Sequence, residues 1–412
     1  MRQTDGFVVP PSLLQGKRVM FGVTGGIAAY KAADLVSWLV QQGAQVRVTM
    51  TKAATEFVAP MTFEAITRQP VYTDVFDGWG GDEAGHVTLA SMADAVLVAP
   101  ATANAIAEMA HGFTGDMLGA VLLSTTAPIV VAPAMEHHMW HHPATQANVR
   151  LLKERGVTIV APERGHLASG ASGDGRLASR ETIVAGLRSV LARSGPLSGR
   201  TIVVTAGGTH EAIDPVRFIG NRSSGQMGVA MAEAAYDAGA AVRTVFGPTV
   251  VTPSITGHVE RVESALEMAE AVERATAGAH ALIMAAAVAD FRPATAAESK
   301  IKKGPGDDAP TVPLVRNPDI LASLDRPGLL KIGFAAETHD LIANATEKLR
   351  RKGLAMIVAN DAVASIGAGE SQATLLHGDG RMESLPVLPK AELARVIVGR
   401  VVALLAKERD HA

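Results

Sequence analysis

The short stretch of the sequence with the most reactive side chains is APAMEHHMWHHPAT, residues 132–145. It places Glu136, His137, His138, His141 and His142 between an apolar run and a helical pattern. Imidazoles at this density could bind a metal ion, transfer protons near neutral pH, or form a histidine-rich surface turn. The histidines come as two adjacent pairs and form no H-E-x-x-H motif, so metal ligation is the less favoured interpretation.

Three polar side chains in the first half follow directly after apolar runs that are typical of buried strands. These are Thr51, Thr102 and Asn104. Because parallel strands end at the same edge of a sheet, we expect these side chains to converge. The turn Gly25-Gly26 leads into a helical pattern, whose free amides and dipole favour a phosphate. A tight strand-to-helix turn without any ligand explains the glycine pair equally well.

A second set of candidate residues lies after residue 200. The turn 207–208 and the segment 223–225 offer backbone amides at the starts of loops or helices. The KIKK segment, which begins at Lys300, offers positive charge, and Asp290 offers a carboxylate for a ribose or a magnesium ion. Taken alone, the KIKK segment is also typical of a solvated loop.

Both sets of residues depend on elements of the α/β type. Residues 19–23 predict a strand, a helix follows that ends at Gly43, and residues 46–50 predict the next strand. The same order recurs with a strand at 202–205 and a helix between Gly225 and Gly239. Further apolar runs predict buried parallel strands at 95–99, 129–132, 158–160, 281–285, 331–334 and 356–358.

A cluster of Ser, Gly and Pro in VLARSGPLSGR, residues 190–200, predicts a linker between two domains. We expect one domain at residues 1–194 and another at residues 195–412. The predicted fold class is α/β, with two doubly wound Rossmann-like domains that bind ligands at the carboxyl ends of their strands.

The composition limits the classes of function. The 412 residues carry a formal net charge of −3, so a nucleic-acid partner is not expected. There is no cysteine, which excludes disulfides, thiolate metal sites and a cysteine nucleophile. No signal-like segment and no run of about 18 apolar residues is present, so we expect a cytoplasmic protein without a membrane contact.

The segments GVTGGIAAYKA, APATANAIAEMAHGFTGDML and PAM…MW resemble the family of flavin-dependent cysteine decarboxylases. The resemblance implies a flavoprotein-type fold that binds FMN in a groove between subunits. In this family FMN oxidises the thiol end of the substrate, CO2 leaves, and the hydride is then returned. The FMN-binding residues that the resemblance implies are Gly25, Gly26, Thr51, Thr102 and Asn104.

The same resemblance implies catalytic and substrate-binding residues. His86 stands where the family has its active-site histidine, and Met135, Glu136 and Met139 occupy the substrate motif P-x-M-N-x-x-M-W. Glu136 replaces the asparagine that holds the substrate carboxylate. Ser169 replaces the cysteine of a mobile loop that donates a late proton, and a hydroxyl is a much weaker acid than a thiol. A water or a histidine of the 132–145 stretch is the alternative donor.

The second half resembles bacterial phosphopantothenate–cysteine ligases through VTAGGTHEAIDPVRFIGNRSSGQMG, MAAAVADFRP, KIKK, RNPDIL, GFAAET and NATEKLRRKG…IVAND, in this order. The resemblance implies that Asn221 contacts the acyl-nucleotide, that Ala286 and Ala287 help to bind the substrate, and that Lys300 contacts the triphosphate. The implied CTP-binding residues are Asp290, Lys300, Asn317, Pro318, Asp319, Ile320, Phe334, Lys348 and Lys352.

Together the two halves resemble the fused bifunctional family of coenzyme A biosynthesis. The resemblance implies CTP-dependent ligation of L-cysteine to 4′-phosphopantothenate, with Mg2+ accompanying CTP, followed by FMN-dependent decarboxylation. It also implies homo-oligomers, with trimers of the flavin half, dimers of the ligase half and a dodecamer overall. Because of Glu136 and Ser169, an active ligase whose flavin half has weak or absent decarboxylase activity is the alternative.

Overall fold

The computed structural model describes residues 3–4, 7–76, 85–166, 170, 172–255, 257–302, 311–337, 339–361 and 367–410. The chain forms two compact units, one of residues 12–193 and one of residues 1–11 with 194–412. The break after Arg193 falls inside the expected linker. The first residues belong to the second unit because Val9 is buried in its core and Arg395 donates to the carbonyl of Pro10 at 2.8 Å.

The first unit alternates strands and helices. Two short N-terminal strands, β1 (Gln3–Thr4) and β2 (Phe7–Val8), precede it. Its elements are β3 (Arg18–Val23), a 3-10 turn (Ile27–Ala29), α1 (Tyr30–Gln41), β4 (Gln45–Met50), α2 (Lys52–Thr55), α3 (Pro60–Thr67), β5 (Val71–Tyr72), α4 (Gly85–Met92), β6 (Ala95–Ala101), α5 (Ala103–His111), α6 (Met117–Ser124), β7 (Ile129–Pro133), α7 (His137–His141), α8 (Pro143–Glu154), β8 (Thr158–Ile159), β9 (Glu163–His166), β10 (Ser172–Arg176) and α9 (Arg180–Leu191).

A parallel six-stranded sheet in the order β5-β4-β3-β6-β7-β8 forms the centre of the first unit. Both faces are covered, which explains why its central strands are continuous apolar runs. Leu35 of α1 and Leu187 of α9 belong to the core on one face. Ile106 of α5 and Val149 of α8 belong to the core on the other face. The predicted doubly wound arrangement is therefore confirmed.

The second unit repeats this plan with additional short strand pairs. Its elements are β11 (Thr201–Ala206), β12 (His210–Ala212), β13 (Phe218–Gly220), α10 (Gln226–Asp237), β14 (Ala241–Phe246), β15 (His258–Arg261), α11 (Ala265–Ala275), β16 (Ala281–Met284), β17 (Phe291–Pro293), β18 (Leu314–Arg316), α12 (Ile320–Ser323), β19 (Leu330–Glu337), α13 (Leu341–Arg351), β20 (Met356–Asp361), β21 (Glu370–Ser371), β22 (Thr374–His377), β23 (Met382–Ser384), β24 (Leu388–Pro389) and α14 (Lys390–Asp410).

The second sheet has the order β15-β14-β11-β16-β19-β20-β22-β23, in which β22 runs antiparallel to both of its neighbours, β20 and β23. Met231 of α10 and Ile397 of α14 belong to the core on one face. Met268 of α11, Ile320 of α12 and Leu349 of α13 belong to the core on the opposite face. A cavity at the carboxyl edge of this sheet is thus bounded by different helices on its two sides.

The predicted strands are confirmed as strands, with ends that differ by at most three residues. Gly43 follows α1 with a φ of 86°, and Gly225 caps α10 with a φ of 76°, so both glycines take left-handed conformations at the predicted helix ends. Within the part of the chain that the structure describes, no helix is both long and apolar enough to cross a lipid bilayer.

Candidate active sites

A cavity of about 550 Å³ lies in the second unit, where the loops after its parallel strands meet. It brings together residues that are distant in the sequence but were predicted to share one site. The predicted residues that line it are Asn221, Ala286, Ala287, Asp290, Asn317, Pro318, Asp319, Ile320, Phe334, Lys348 and Lys352. A pocket of this size is in the range of small-molecule and cofactor sites.

Asn221 lies in the loop before α10 and reaches the segment that follows β16. Its side-chain nitrogen donates to the carbonyl of Ala287 at 3.3 Å and to that of Val288 at 3.1 Å. These bonds use the N–H groups of the Asn221 side chain and fix its orientation. The side-chain oxygen is the group that can contact a ligand. The bond pattern explains why the loops after residues 221 and 286 share one cavity.

Hydrogen bonds also fix the segment that begins at Asn317. The backbone amide of Asn317 donates to the carbonyl of Asp290 at 2.9 Å, and its side chain donates to the carbonyl of Ala289 at 2.8 Å. Arg292 donates to the side-chain oxygen of Asn317 at 3.0 Å. Asp319 caps α12 by accepting from the amide of Ala322. The backbone around Asp290 and Asn317 is therefore preorganised.

Two lysines of the cavity have acidic partners. Lys348 of α13 contacts Glu337 at 2.5 Å, and Lys352 contacts Asp319 at 2.9 Å. These pairs hold the ammonium groups at the cavity wall and offset part of their charge. They provide hydrogen-bond donors for a phosphate or a base without a large excess of positive potential.

Lys300 is the predicted residue of this half that does not line the cavity. It is exposed, and the next residue, Ile301, donates its amide to Asp214 at 3.2 Å. Asp214 is buried and also accepts from the side chain and the amide of Arg217. The Arg217 guanidinium holds the pKa of Asp214 well below the usual carboxyl range. This contact attaches the lysine segment to the loop after β12.

The Gly207-Gly208 turn serves packing rather than an open anion cradle. The amide of Gly208 already donates to the carbonyl of Pro248 at 3.2 Å. A Cβ atom on Gly207 would lie 2.6 Å from the same carbonyl oxygen. Of the two amide sources expected from the sequence, the segment 223–225 lines the cavity and the glycine pair does not.

In the first unit, the ends of β3, β4 and β6 meet through their loops. The hydroxyl of Thr24 donates to the carbonyl of Pro100 at 2.8 Å and accepts from the amide of Thr102 at 2.9 Å. A Cβ atom on Gly25 would lie 2.3 Å from that of Ala53, and one on Gly26 would lie 3.5 Å from Thr102. The structure therefore brings Gly25, Gly26 and Thr102 together as predicted.

Three predicted flavin-binding side chains have local partners. Thr51 caps α2 by accepting from the amide of Ala54, and Thr102 caps α5 by accepting from that of Ala105. Both hydroxyls keep a proton that can be donated to a ligand. The side chain of Asn104 donates to Glu108 at 2.9 Å on the exposed side of α5.

His86 lies in the first turn of α4, a helix that packs against α6 and β3. Its Nδ1 atom is buried and has no hydrogen-bond partner among the described residues. A buried imidazole nitrogen without a partner is unfavourable, and such atoms mark positions where a ligand or a water completes the site. The unpartnered nitrogen of His86 therefore fits a bound group in the first unit.

Glu136 is the residue that caps the start of α7. Its carboxylate accepts from the amides of His138 at 2.7 Å and Met139 at 3.3 Å, and it contacts Nδ1 of His138 at 3.0 Å. Desolvation alone would raise the pKa of Glu136, but these hydrogen bonds lower it. The carboxylate is therefore a helix cap paired with a histidine.

His137, His141 and Asp174 bring their ligand atoms within 4.8 Å of one another, a cluster that the sequence interpretation missed. His137 and His141 are one turn apart on α7. The ring of His137 accepts from the amide of Asp174 at 3.1 Å through Nδ1, so its neutral form carries its proton on Nε2. His141 contacts the Asp174 carboxylate at 3.0 Å. These bonds fasten the β9–β10 hairpin to α7 and disfavour metal ligation by His137.

The predicted lid loop falls partly outside the described residues, and Ser169 is among the positions not described. The β9–β10 hairpin around it is described, and the amide of Met135 donates to the carbonyl of Gly175 at 2.9 Å. Met139 is half-exposed on α7. The substrate motif and the base of the lid thus lie side by side.

Comparisons with known proteins extend these observations over both units. The family model called Flavoprotein matches residues 9–192, and the model of the DNA/pantothenate metabolism flavoprotein C-terminal domain matches residues 197–405. A protein of Vibrio vulnificus strain YJ016 named coenzyme A biosynthesis bifunctional protein CoaBC is 42% identical over 95% of this chain and 99% of its own. The protein of that name from Bacillus subtilis strain 168 is 42% identical over 95% of this chain and 98% of its own.

The chain belongs to the family of bifunctional coenzyme A biosynthesis proteins. A crystal structure of the C-terminal domain of such a protein is 40% identical, covers 52% of this chain and all of its own, and gives a TM-score of 0.46. The family models and the relatives confirm the resemblance drawn from the motifs. They also confirm the predicted class of bifunctional enzyme and the two-domain α/β fold. The alternative of a ligase with an inactive flavin half is not favoured.

Four polar residues of the cavity were not predicted from the sequence. Gln226, Asn360, Ser371 and Lys390 also line the cavity of the second unit. Lys390 follows a proline and begins α14, so its sequence signal is that of a helix start and not of a ligand. Only the packing of α14 beside α10 reveals its position.

Proposed function

We propose that the second unit ligates L-cysteine to 4′-phosphopantothenate with CTP, and that the first unit decarboxylates the product to 4′-phosphopantetheine with FMN. The observation that carries this proposal is the single cavity that gathers Asn221, Asp290, the 317–320 segment and Lys348. A site of this kind can hold a nucleotide beside a second substrate. Membership of the bifunctional family supports the assignment of both steps.

Ligation proceeds in two displacements. A carboxylate oxygen of 4′-phosphopantothenate attacks the α-phosphorus of CTP, and pyrophosphate leaves with its bridging oxygen. The amine of cysteine then attacks the acyl carbon, CMP leaves, and the amine loses a proton to give the amide. Negative charge grows on the phosphates in the first step, so oriented donors and Mg2+ bound to CTP lower its barrier.

The residues of the cavity divide these tasks. Asn221, fixed by the carbonyls of Ala287 and Val288, marks the place where the acyl-cytidylate forms. Asp290 and the 317–320 segment hold the nucleoside, with Phe334 and the paired lysines beside it. Lys300 reaches the triphosphate from the exposed segment that Asp214 anchors. For Lys300 to contact the triphosphate, the segment that contains it must approach the cavity when CTP is bound.

The residues of the first unit fit a flavin. FMN, when bound, supplies the redox chemistry that makes the thiol end of the substrate an electron sink for loss of CO2. The loops at Gly25 and Gly26 and the hydroxyls of Thr51 and Thr102 hold its phosphate and ribityl chain. The unpartnered Nδ1 of His86 provides the buried hydrogen-bonding group that orients the substrate or accepts its proton.

Glu136 cannot play the part of the family's asparagine unchanged. Its carboxylate is committed to the α7 cap, and like charges repel a substrate carboxylate. His138, which contacts Glu136 at 3.0 Å, supplies a group that can carry the compensating positive charge. With Ser169 in place of a thiol, a water or a histidine of α7 donates the final proton.

The setting of the enzyme follows from its substrates. A protein that uses CTP and free L-cysteine works in the cytoplasm, and it needs neither nucleic acid nor a membrane. Large apolar side chains such as Ile27, Tyr30 and Met61 are exposed in the first unit. Exposed apolar surface marks association sites and supports a homo-oligomer. From the family resemblance we propose trimeric flavin halves, dimeric ligase halves and a dodecamer overall.

The test combines an absorption spectrum with an assay of pyrophosphate release. The purified protein should show a flavin spectrum, and the flavin released by heat should be FMN. With 4′-phosphopantothenate, L-cysteine, Mg2+ and CTP it should release pyrophosphate. Absence of flavin after reconstitution, or pyrophosphate release that does not depend on 4′-phosphopantothenate, would contradict the proposal.

A further inference from the structure

Lys390 is a half-buried cation in the ligase cavity to which the proposed reaction gives no task. It is the first residue of α14, and its ammonium donates to the side-chain oxygen of Gln226 at 3.4 Å, which is a long hydrogen bond. No carboxylate pairs with it among the described residues. Burial lowers the pKa of Lys390.

The other cations of the cavity differ from Lys390. Lys348 and Lys352 have acidic partners at 2.5 Å and 2.9 Å, and Arg222 is exposed to solvent. A partly desolvated ammonium with only an amide oxygen beside it is stabilised when an anion arrives. The cavity therefore has an unbalanced positive charge at Lys390, and this charge fits an anionic group of a ligand.

The two faces of the sheet separate Lys390 from the nucleotide-binding residues on α12 and α13, whereas Phe334 packs on the same face as Lys390. Ile320 of α12 and Leu349 of α13 belong to the core on one face. Leu393, one turn after Lys390, belongs to the core on the opposite face, together with α10. Ala286 and Ala287 follow the central strand β16 and lie between these two sides of the cavity.

The acid substrate has an anion at each end, a carboxylate and a phosphate monoester. Its carboxylate must meet the α-phosphate of the nucleotide near Asn221 and Ala287. The phosphate monoester must then extend away from the nucleotide, toward α10 and α14. Lys390 is the half-buried lysine on that side of the cavity within the described residues.

We propose that Lys390 binds the phosphate monoester of the acid substrate and thereby selects 4′-phosphopantothenate over pantothenate. This inference rests on the proposed ligase function. Gln226 keeps the ammonium in place before the substrate arrives, through the contact at 3.4 Å. A charged hydrogen bond between Lys390 and the substrate phosphate changes the affinity on the order of 10- to 100-fold.

The test compares Lys390→Gln and Lys390→Met with the wild-type protein, with Lys390→Arg as the variant that keeps the charge. Lys407→Gln is the matched control, because Lys407 is an exposed lysine of the same helix. Isothermal titration with 4′-phosphopantothenate and with pantothenate gives the affinities without turnover. Steady-state pyrophosphate release gives KM for the acid and for CTP.

We expect both neutral variants to bind 4′-phosphopantothenate about 10- to 100-fold more weakly, with unchanged binding of pantothenate and a KM for CTP within about twofold. Lys390→Arg should recover most of the affinity, and Lys407→Gln should resemble the wild type. Equal weakening for both acids, no weakening, or a raised KM for CTP alone would overturn the assignment. If the wild type released no pyrophosphate, the ligase proposal would fail, whereas the titrations would still decide whether Lys390 recognises the phosphate.

Discussion

Asn221 and Glu136 differ in what their hydrogen bonds leave free for a substrate. Asn221 uses its nitrogen to hold two backbone carbonyls, at 3.3 Å and 3.1 Å, and keeps its place at the cavity wall. Glu136 uses both carboxylate oxygens for the start of α7 and for His138. A motif position therefore defines a residue's place, but the local bonds decide whether its side chain can contact the substrate.

Replacement of Asn221 should separate the two activities. Asn221→Ala removes the bonds that fix the carbonyls of Ala287 and Val288 at the cavity wall, and a misplaced reacting group lowers rates on the order of 100-fold. We expect this loss in CTP-dependent pyrophosphate release. Decarboxylation of supplied phosphopantothenoylcysteine by the same variant should stay at the wild-type rate, and a parallel fall in that rate would argue for a general folding defect.

Replacement of Glu136 tests its role as a helix cap. Glu136→Ala leaves the amides of His138 and Met139 without their acceptor, and we expect a melting temperature lower by about 2 °C. Glu136→Asn keeps a capping oxygen and should melt close to the wild type. Differential scanning fluorimetry of the three proteins measures this, and equal melting of the Ala and Asn variants would argue against the cap.

At the scale of the elements, the parallel strands could be predicted because they are apolar runs followed by glycine or a capping residue. The run 129–132 and the cap Thr102 are examples, and both were placed within two residues of their observed positions. The antiparallel strands β22 and β23 were not predicted. They are short, and half of their side chains are exposed or partly exposed, so they have no continuous apolar signal.

Contacts between elements were harder to predict than the elements themselves. Lys390 and Gln226 are 164 residues apart and meet only because α14 packs beside α10. The contact of His137 with Asp174 likewise depends on how a hairpin folds back on α7. No local pattern encodes either pair, whereas the ordered motifs around Asn221 and Asn317 did predict a shared cavity.

Asp214 should affect the position of Lys300 more than the structure of the sheet. Asp214→Asn removes the charge that binds Arg217 and weakens the anchor of Ile301. We expect a raised KM for CTP, on the order of tenfold, because Lys300 loses its fixed attachment. Glu260→Gln, which removes another acid paired with an arginine of the same unit, should leave the KM unchanged. An unchanged KM in Asp214→Asn would contradict the anchoring role.

His377 should make the stability of the second unit depend on pH. Burial is the main cause that lowers the pKa of this histidine below its usual value of 6.5, and the positive charge of nearby Arg381 is the second. Below about pH 6.5 the unfolded chain binds a proton that the folded chain does not, so the free energy of unfolding falls as the pH decreases. Denaturant titrations at pH values from 7.5 to 5, in steps of about half a pH unit, should show this slope. His377→Gln should reduce the slope, whereas replacement of the exposed His258 should not.

At the scale of the whole molecule, each unit has its own central sheet, its own core and its own candidate site. The family of bifunctional proteins accounts for this division, since one unit matches each family model. The linker and the two-domain organisation could be read from composition and repeated strand–helix order. The attachment of residues 1–11 to the second unit could not, because their few apolar residues show no strong pattern.

The central claim is that one chain carries out ligation and decarboxylation at two separate sites. Mass spectrometry of the products from 4′-phosphopantothenate, L-cysteine and CTP tests it most directly, for the wild type, Asn221→Ala and His86→Asn. We predict 4′-phosphopantetheine from the wild type, accumulated phosphopantothenoylcysteine from His86→Asn, and far less of either product from Asn221→Ala unless the adduct is supplied. Accumulation of the adduct by the wild type with FMN bound, or 4′-phosphopantetheine formed at the wild-type rate by His86→Asn, would contradict the account.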